Sequence, residues 1–503
     1  MKNTFAPISR IPSELFALIP GYWGGEDMGG EECVDKNLIT MTHVCRGWRK
    51  LLTACPPLWA RLDCTNADKT RVYIERSKSS PLELEVELFL YNFADTTFPW
   101  DAFLLVVPHT GRLRSLTINI TYNTLQKLAP HFSSPIPLLR ELTINLIGES
   151  TPLFDALFNG DLSSLRSLSL SGVVTHLPWK GMSKLTSFKL CHDPRDTISV
   201  TRLLDFFENA HHLTDITLKH SIPTSSNAPP DRVISLPCLK NLSIFANPAH
   251  SILLNHLSIP VGASLALDFE FTGLESPLLE FLPNSLENLG NILSISSVNL
   301  FHDGFEKYVR LDGPSGGLCM LGHRSDQDVD SWFVLDRRLL RSLTCFNLSG
   351  AQTLAITGYQ SPTPKNVDKS APYHLLSHMN DLRTIALTRC NNLPFILALD
   401  PGKSPSRSAL CPKLEKLILY VGGLESFNLE ELRGMAKQRV LVGAKLSSIA
   451  IIGRDELAPG REVSKLKEYV ARVDYRVEEG PPRWDCISED WANSSSGDSL
   501  SVE

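Results

Sequence analysis

One apolar phrase returns nine times along these 503 residues and leaves few folds open. Its form is L-x-x-L-x-L, with Leu, Ile and Phe interchanging. It reads LRSLTI from Leu113, LRELTI from Leu139, LRSLSL from Leu165, LTSFKL from Leu185, LTDITL from Leu213 and LKNLSI from Leu239. It returns as LRTIAL from Leu382, LEKLIL from Leu414 and LSSIAI from Leu446. The starts are 26, 26, 20, 28 and 26 residues apart in the first group and 32 and 32 in the second. The last two apolar positions alternate with polar ones, so a short strand points them to one side. One such unit cannot bury its apolar face alone, whereas stacked neighbours make a continuous core.

Pro137, Pro237 and Pro412 each stand two residues before a phrase. A proline there ends the preceding segment and presets an extended entry to the strand. Between phrases, LLDFFENAHH from Leu203 and LEELRGMAKQRVLV from Leu429 carry helical spacing. Strand phrase alternating with helix predicts an α/β chain whose parallel sheet curves into a solenoid. The rival is a set of unrelated strand–helix units in an ordinary α/β domain. Faithful recurrence argues against it, as does the lack of a Gly-rich phosphate loop after any strand. Residues 250–350 are irregular; SLALDFEF from Ser264 and LGNILSI from Leu289 are candidate degenerate repeats.

This pattern resembles the leucine-rich-repeat family, whose fuller phrase carries Asn or Cys three residues past the last Leu. Asn247 and Cys390 hold that position here, while the other phrases carry different residues. The departure implies irregular turns and variable repeat lengths.

Residues 8–63 differ in character. ISRIPSELFALI sets Leu15, Phe16 and Ile19 on one face of a short helix after Pro12, with Ser13 in the first turn. A Gly-rich acidic loop follows at residues 24–32. Then Leu38, Met41, Val44, Cys45, Trp48 and Leu52 recur at spacings of three and four, predicting one amphipathic helix that stops before Pro56 and Pro57. Trp59 and Leu62 are expected to pack back on it. IPSEL, HVCRGWRKL, PPLWARLD and TRVYIERSKSSPLELEV together resemble the F-box, in the long form common in fungal proteins, over about 80 residues. The resemblance implies docking on a Skp-type adaptor and, through it, a cullin. The adaptor contacts it implies are Pro12, Leu15, Ile19, Leu38, Val44, Cys45 and Trp48. The glycines and acids of the 24–32 loop depart from the family, and backbone order is costly there.

Composition narrows the function. Hydrophobic residues make up 43% and charged ones 21%, as in ordinary folded proteins. A net charge of −6 without a basic block argues against nucleic acid. No apolar run approaches the roughly 20 residues that cross a bilayer, and MKNTFAPISRIPSELF has no signal-peptide core. The 11 cysteines contain no C-x-x-C pair, so reduced thiols in cytoplasm or nucleus are expected, with no zinc site.

No esterase elbow, zinc-protease helix motif or nucleotide loop occurs. GPSGG at Gly313–Gly317 reads as a surface turn. His211 and His212 point about 100° apart on a helix and make a poor metal pair. Cys191, His192 and Asp193 are too close in sequence to form a nucleophile–base chain.

The expected organisation is a helical F-box-like module at 1–63, a linker and cap at 64–112, a solenoid at 113–479, and a disordered acidic Ser-rich tail at 480–503. The expected role is non-enzymatic, without metal or cofactor: the substrate-recognition subunit of a Skp–cullin–F-box ubiquitin ligase. The alternative is an interaction scaffold unconnected to ubiquitination. Outward residues just after a phrase's final apolar position are expected to be the client contacts, given as Asn145, Lys189, Lys219, Phe245, Thr388 and Tyr420.

Overall fold

In the computed structural model the described residues are 32–87, 98–147, 151–152, 162–174, 181–191, 197–219, 222–224, 229, 231–246, 250–271, 281–283, 285–302, 306–324, 337–358, 370–388, 390–404, 408–421, 429–453 and 465–477. Pro12, Leu15, Ile19, Asn247 and the 480–503 tail lie outside them, as does all of the acidic loop but Glu32. The chain divides into two units, Met1–Pro260 and Val261–Glu503. Both are mixed α/β, and the described residues hold eleven α-helices.

The described residues of the first unit open with α1 (Glu32–Val44), α2 (Arg46–Thr53) and α3 (Ala67–Ser77). The single helix expected from Leu38 to Leu52 is thus two. Cys45 is extended, at φ −160° and ψ 166°, and its Sγ accepts from the Trp48 backbone N–H at 3.4 Å. A side-chain acceptor at this position caps a new helix rather than continuing the old one. Asn66 caps α3, its Oδ1 accepting from Asp68 N–H at 2.9 Å and Lys69 N–H at 3.1 Å.

Eight parallel strands follow in one ladder: β1 (Arg61–Leu62), β2 (Leu82–Glu87), β3 (Leu113–Thr121), β4 (Glu141–Ile147), β5 (Ser167–Ser171), β6 (Ser187–Cys191), β7 (Asp215–Lys219) and β8 (Asn241–Ala246). Register aligns the phrases position for position, for example Leu116 with Leu142, Leu142 with Leu168 and Leu168 with Phe188. The inward rows are fully buried, Ile118, Leu168, Leu170 and Leu190 all at 0% exposure. Burying each such side chain contributes about 1.5–3 kcal/mol, so the stacked rows supply the cohesion a single phrase lacks.

All the phrases but the one at Leu446 are entered through a hydrogen-bonded turn. Leu139 N–H donates to Ile136 O, Leu165 to Leu162 O, Leu213 to Ala210 O and Leu414 to Cys411 O, at 3.0–3.2 Å. This corrects the expected part of Pro137, Pro237 and Pro412. Each is the second residue of such a turn, where the ring's fixed φ suits it, and extension begins only afterwards.

Six short strands pair off outside this ladder, such as Thr197–Ser199 with Ile222–Thr224. α4 (Trp100–Val106) and α5 (Tyr122–Leu128) precede and follow β3. α6 (Val200–Asn209) buries Phe206 against Phe188, ring centroids 4.6 Å apart, and α7 spans His250–Leu254.

The second unit begins with β9 (Ser264–Phe271), β10 (Ser297–His302), β11 (Glu306–Asp312) and β12 (Gly317–Arg324). Their spatial order is β9, β12, β11, β10, with antiparallel pairing on both sides of β11. A hairpin is therefore inserted between two strands that run the same way. This is the physical content of the irregular middle. GPSGG is the hairpin's turn, with Asp312 paired to Gly317. A Cβ on Gly316 meets Ala263 O at 2.3 Å, so backbone passes where a side chain has no room. LGNILSI is not a strand; a short 3₁₀ turn, Gly290–Ile292, occupies it and extension starts at Ser297.

From β10 the ladder continues in parallel through β13 (Thr353–Gly358), β14 (Thr384–Thr388), β15 (Lys416–Val421), β16 (Ser448–Gly453) and β17 (Arg472–Val477). α8 (Arg337–Ser342), α9 (Ser370–Ser377), α10 (Leu393–Leu399) and α11 (Leu429–Leu441) fall between these strands. The two 32-residue intervals hold α10 and α11.

Candidate functional site

The N-terminal helices are held by their own core. Leu38 and Met41 are buried at 3% and 1%, and the Arg49 guanidinium donates from Nε to Thr42 O at 2.9 Å, tying α2 to the end of α1. Trp59 is buried at 1%, as the sequence leads one to expect. Its Nε1–H donates to Leu52 O at 2.9 Å, Tyr73 meets it edge-on at 5.0 Å, and the Arg76 guanidinium lies 4.3 Å from its ring. PPLW is thus the joint between α2 and α3. Leu38, one of the implied adaptor contacts, faces this core and offers no surface. Val44 is 57% exposed, Cys45 is exposed and Trp48 is half-buried. Ile39, which the apolar spacing passed over because it falls off the Leu38–Met41 face, is 41% exposed. Exposed Ile39 and Val44 bracket the outer face of α1, so this helix is apolar beyond what its own packing uses.

The second candidate surface is the side of the ladder opposite the buried rows. In the first unit it is polar. Asn119, Asn145, Ser171, Cys191 and Lys219 stand in one register row, and Asn145 Nδ2 donates to Asn119 Oδ1 at 2.7 Å. Lys189 is not in that row. It aligns with Ser169 and Thr217 in the adjacent one, because it precedes Leu190 whereas Cys191 follows it. Phe245 follows Ile244, the partner of Leu218, and is half-buried. Tyr420 is half-buried opposite Ile452. Thr388 is buried at 1%, so its side chain presents nothing to a client. Its neighbours explain this: β14 is buried from Ile385 through Thr388, on both sides of the strand.

Among the described residues no group of three His, Cys, Asp or Glu side chains is placed to hold a metal ion. Burial pushes the Cys64, Cys319, Cys390 and Cys411 thiols up to about 12, which keeps them protonated and poor nucleophiles at neutral pH. His211 and His212 are exposed in a turn beyond α6, and His211 Nδ1 lies 3.0 Å from Glu208 O. His192 and Asp193 lie outside the described residues. Arg232 bridges Asp205 at 2.8 Å and Glu208 at 2.6 Å, which fastens α6 to the following segment.

No helix among the described residues is long and apolar enough to cross a membrane. What the two surfaces can do chemically is bind: one is a small helical face with surplus apolar residues, the other a strand face set in rows. Compared with known proteins, the chain matches no family model and no curated sequence.

Proposed function

We propose that this chain is the substrate-recognition subunit of a Skp–cullin–F-box type ubiquitin ligase, working in cytoplasm or nucleus. The α1–α2 pair is an F-box-like module that docks a Skp-type adaptor, and the strand ladders are an irregular leucine-rich-repeat solenoid that holds a protein client. The observation that carries the reading is the aligned register of successive phrases, which places equivalent side chains in rows on a face away from the core. Repeats built this way make extended binding surfaces. Val44 and Ile39 serve the adaptor as apolar anchors, with Trp48 beside them. The chain's contribution to ubiquitin transfer is positioning, and the bond-making groups belong to its partners.

Affinity purification of the full chain with mass spectrometry tests this, run beside Trp48→Ala and a form lacking residues 1–63. The reading expects a Skp-type adaptor and a cullin with the full chain, their loss without 1–63, and depletion with Trp48→Ala. Recovery of clients without any adaptor supports the alternative, a scaffold unconnected to ubiquitination. Burial of Leu38 inside the module favours that alternative, because it removes one anchor from the docking face.

A further inference from the structure

Strands β13–β16 of the second unit are apolar on both sides, those of the first unit on one. On the face away from the buried rows, the middle positions of β4–β8 are Thr143, Ser169, Lys189, Thr217 and Ser243. In β13–β16 the same positions are Ala355, Ala386, Ile418 and Ala450. The next row adds Tyr420 and Ile452. Parallel strands that read as unbroken apolar runs, such as KLILYV and SIAIIG, belong to sheets covered on both faces.

Charge says what kind of cover fits. On this same face Lys416 and Arg472 flank Ser448 in one register row and Arg476 stands beside Ile452, with Asp474 beside Ala450; all three cations are exposed. Asp474 is the single acid among them in β15–β17, and it is paired with Arg472 at 2.7 Å. Three cations against one acid leave the face at +2. The chain continues directly from β17 into EEGPPRWDCISEDW, residues 478–491. There Glu478, Glu479, Asp485, Glu489 and Asp490 oppose only Arg483, a net −4, and Trp484, Ile487 and Trp491 recur at spacings of three and four. Seven residue steps from Val477 to Trp484 span up to about 23 Å. β15 lies two strands from β17, about 10 Å away.

We propose that the apolar, basic-rimmed face of β15–β17 takes residues 481–491 of the same chain, with Trp484 and Trp491 against half-buried Ile418 and Tyr420. This docking does not depend on the ligase reading. In a ligand-binding protein of any kind it makes the segment a built-in competitor for this face. A tether this short gives an effective concentration on the order of 1 mM.

The test uses the full chain and a fluorescein-labelled peptide copying residues 478–492, followed by anisotropy. With a peptide Kd of about 30 μM, the tethered segment weakens binding to the intact chain roughly 30-fold relative to the Trp484→Ala/Trp491→Ala chain. On that double-variant background, Lys416→Glu lowers peptide affinity and Ile418→Asp abolishes it. Thr143→Asp, on the polar face of the first unit, changes nothing. Equal binding to intact and double-variant chains overturns the proposal, and so does peptide binding that survives both face variants, or no binding to any form. Sedimentation of the intact chain as a dimer that Ile418→Asp dissociates overturns it too, assigning the face to a second copy.

Discussion

Arg439 is the only charged side chain among the described residues that is completely buried, at 0% exposure. It holds three backbone carbonyls: Nη1 donates to Leu410 O at 2.9 Å, Nη2 to Cys411 O at 2.9 Å and Nε to Ala444 O at 3.0 Å. These carbonyls belong to the turn entering β15 and to Ala444, three residues past the end of α11. Cys411 has a φ of 48°, a left-handed geometry rarely adopted by a side-chain-bearing residue. Arg439→Met keeps most of the volume and removes all three donors. An orphaned buried carbonyl costs about 1–3 kcal/mol. Cys411 O still accepts from Leu414 N–H, so the two others set the bill. Relief from burying the guanidinium, whose pKa burial already lowers, offsets part of the loss. A net cost of about 3 kcal/mol is expected, or roughly 100-fold in an opening equilibrium. Native-state hydrogen exchange reads it at the Leu414 and Ser448 amides, bonded to Cys411 O and Glu415 O, whose protection should drop about 100-fold. Unchanged protection at Leu414 refutes the argument that the guanidinium holds this turn.

Trp59→Ala removes the ring between Leu52 O, Tyr73 and Arg76; a loss of about 3–5 kcal/mol is expected, read as a lower midpoint in urea for the N-terminal helices. Gly316→Ala forces the hairpin turn off Ala263 O and lowers stability by about 1–3 kcal/mol. Gly350→Ala, whose Cβ meets nothing nearer than Ile295 O at 3.6 Å, stays within about 0.5 kcal/mol in the same denaturation assay. Burial pushes the Asp63 carboxyl up, but hydrogen bonds from Lys69 and Thr65 outweigh it and hold the group below its ordinary 3.8. A depressed carboxylate pKa adds stability above the unfolded value and loses it as pH falls through the folded one. Melting of the N-terminal region between pH 5 and pH 2 should therefore fall less steeply in Asp63→Asn.

The nine Leu-first phrases were legible because each sets two apolar side chains into the same buried rows. Four further strands of the ladders, β9, β10, β13 and β17, were less so. Their entries carry Ala263, Ile295, Ala351 and Val470, which are buried at 0–2% as the leucines are but do not spell the phrase. The hairpin at 306–324 was hidden for a different reason. Antiparallel strands share the alternation of parallel ones, and only pairing distinguishes them. The break at Cys45 needed side-chain geometry, since helical spacing continues through it. At the candidate sites, spacing identified which residues are apolar but not which side a shared core takes. Leu38 and Thr388 therefore turned inward, and Ile39 was passed over.

Calorimetric titration of the full chain with a purified Skp-type adaptor bears most directly on the proposed role. The account expects a one-to-one complex with a Kd of about 1 μM or tighter, weakened at least about 10-fold by Val44→Asp, since 1.4 kcal/mol is tenfold and a buried apolar anchor is worth more. Absence of heat at micromolar concentrations, or equal affinity in the variant, contradicts the assignment of the α1–α2 surface and with it the ligase role.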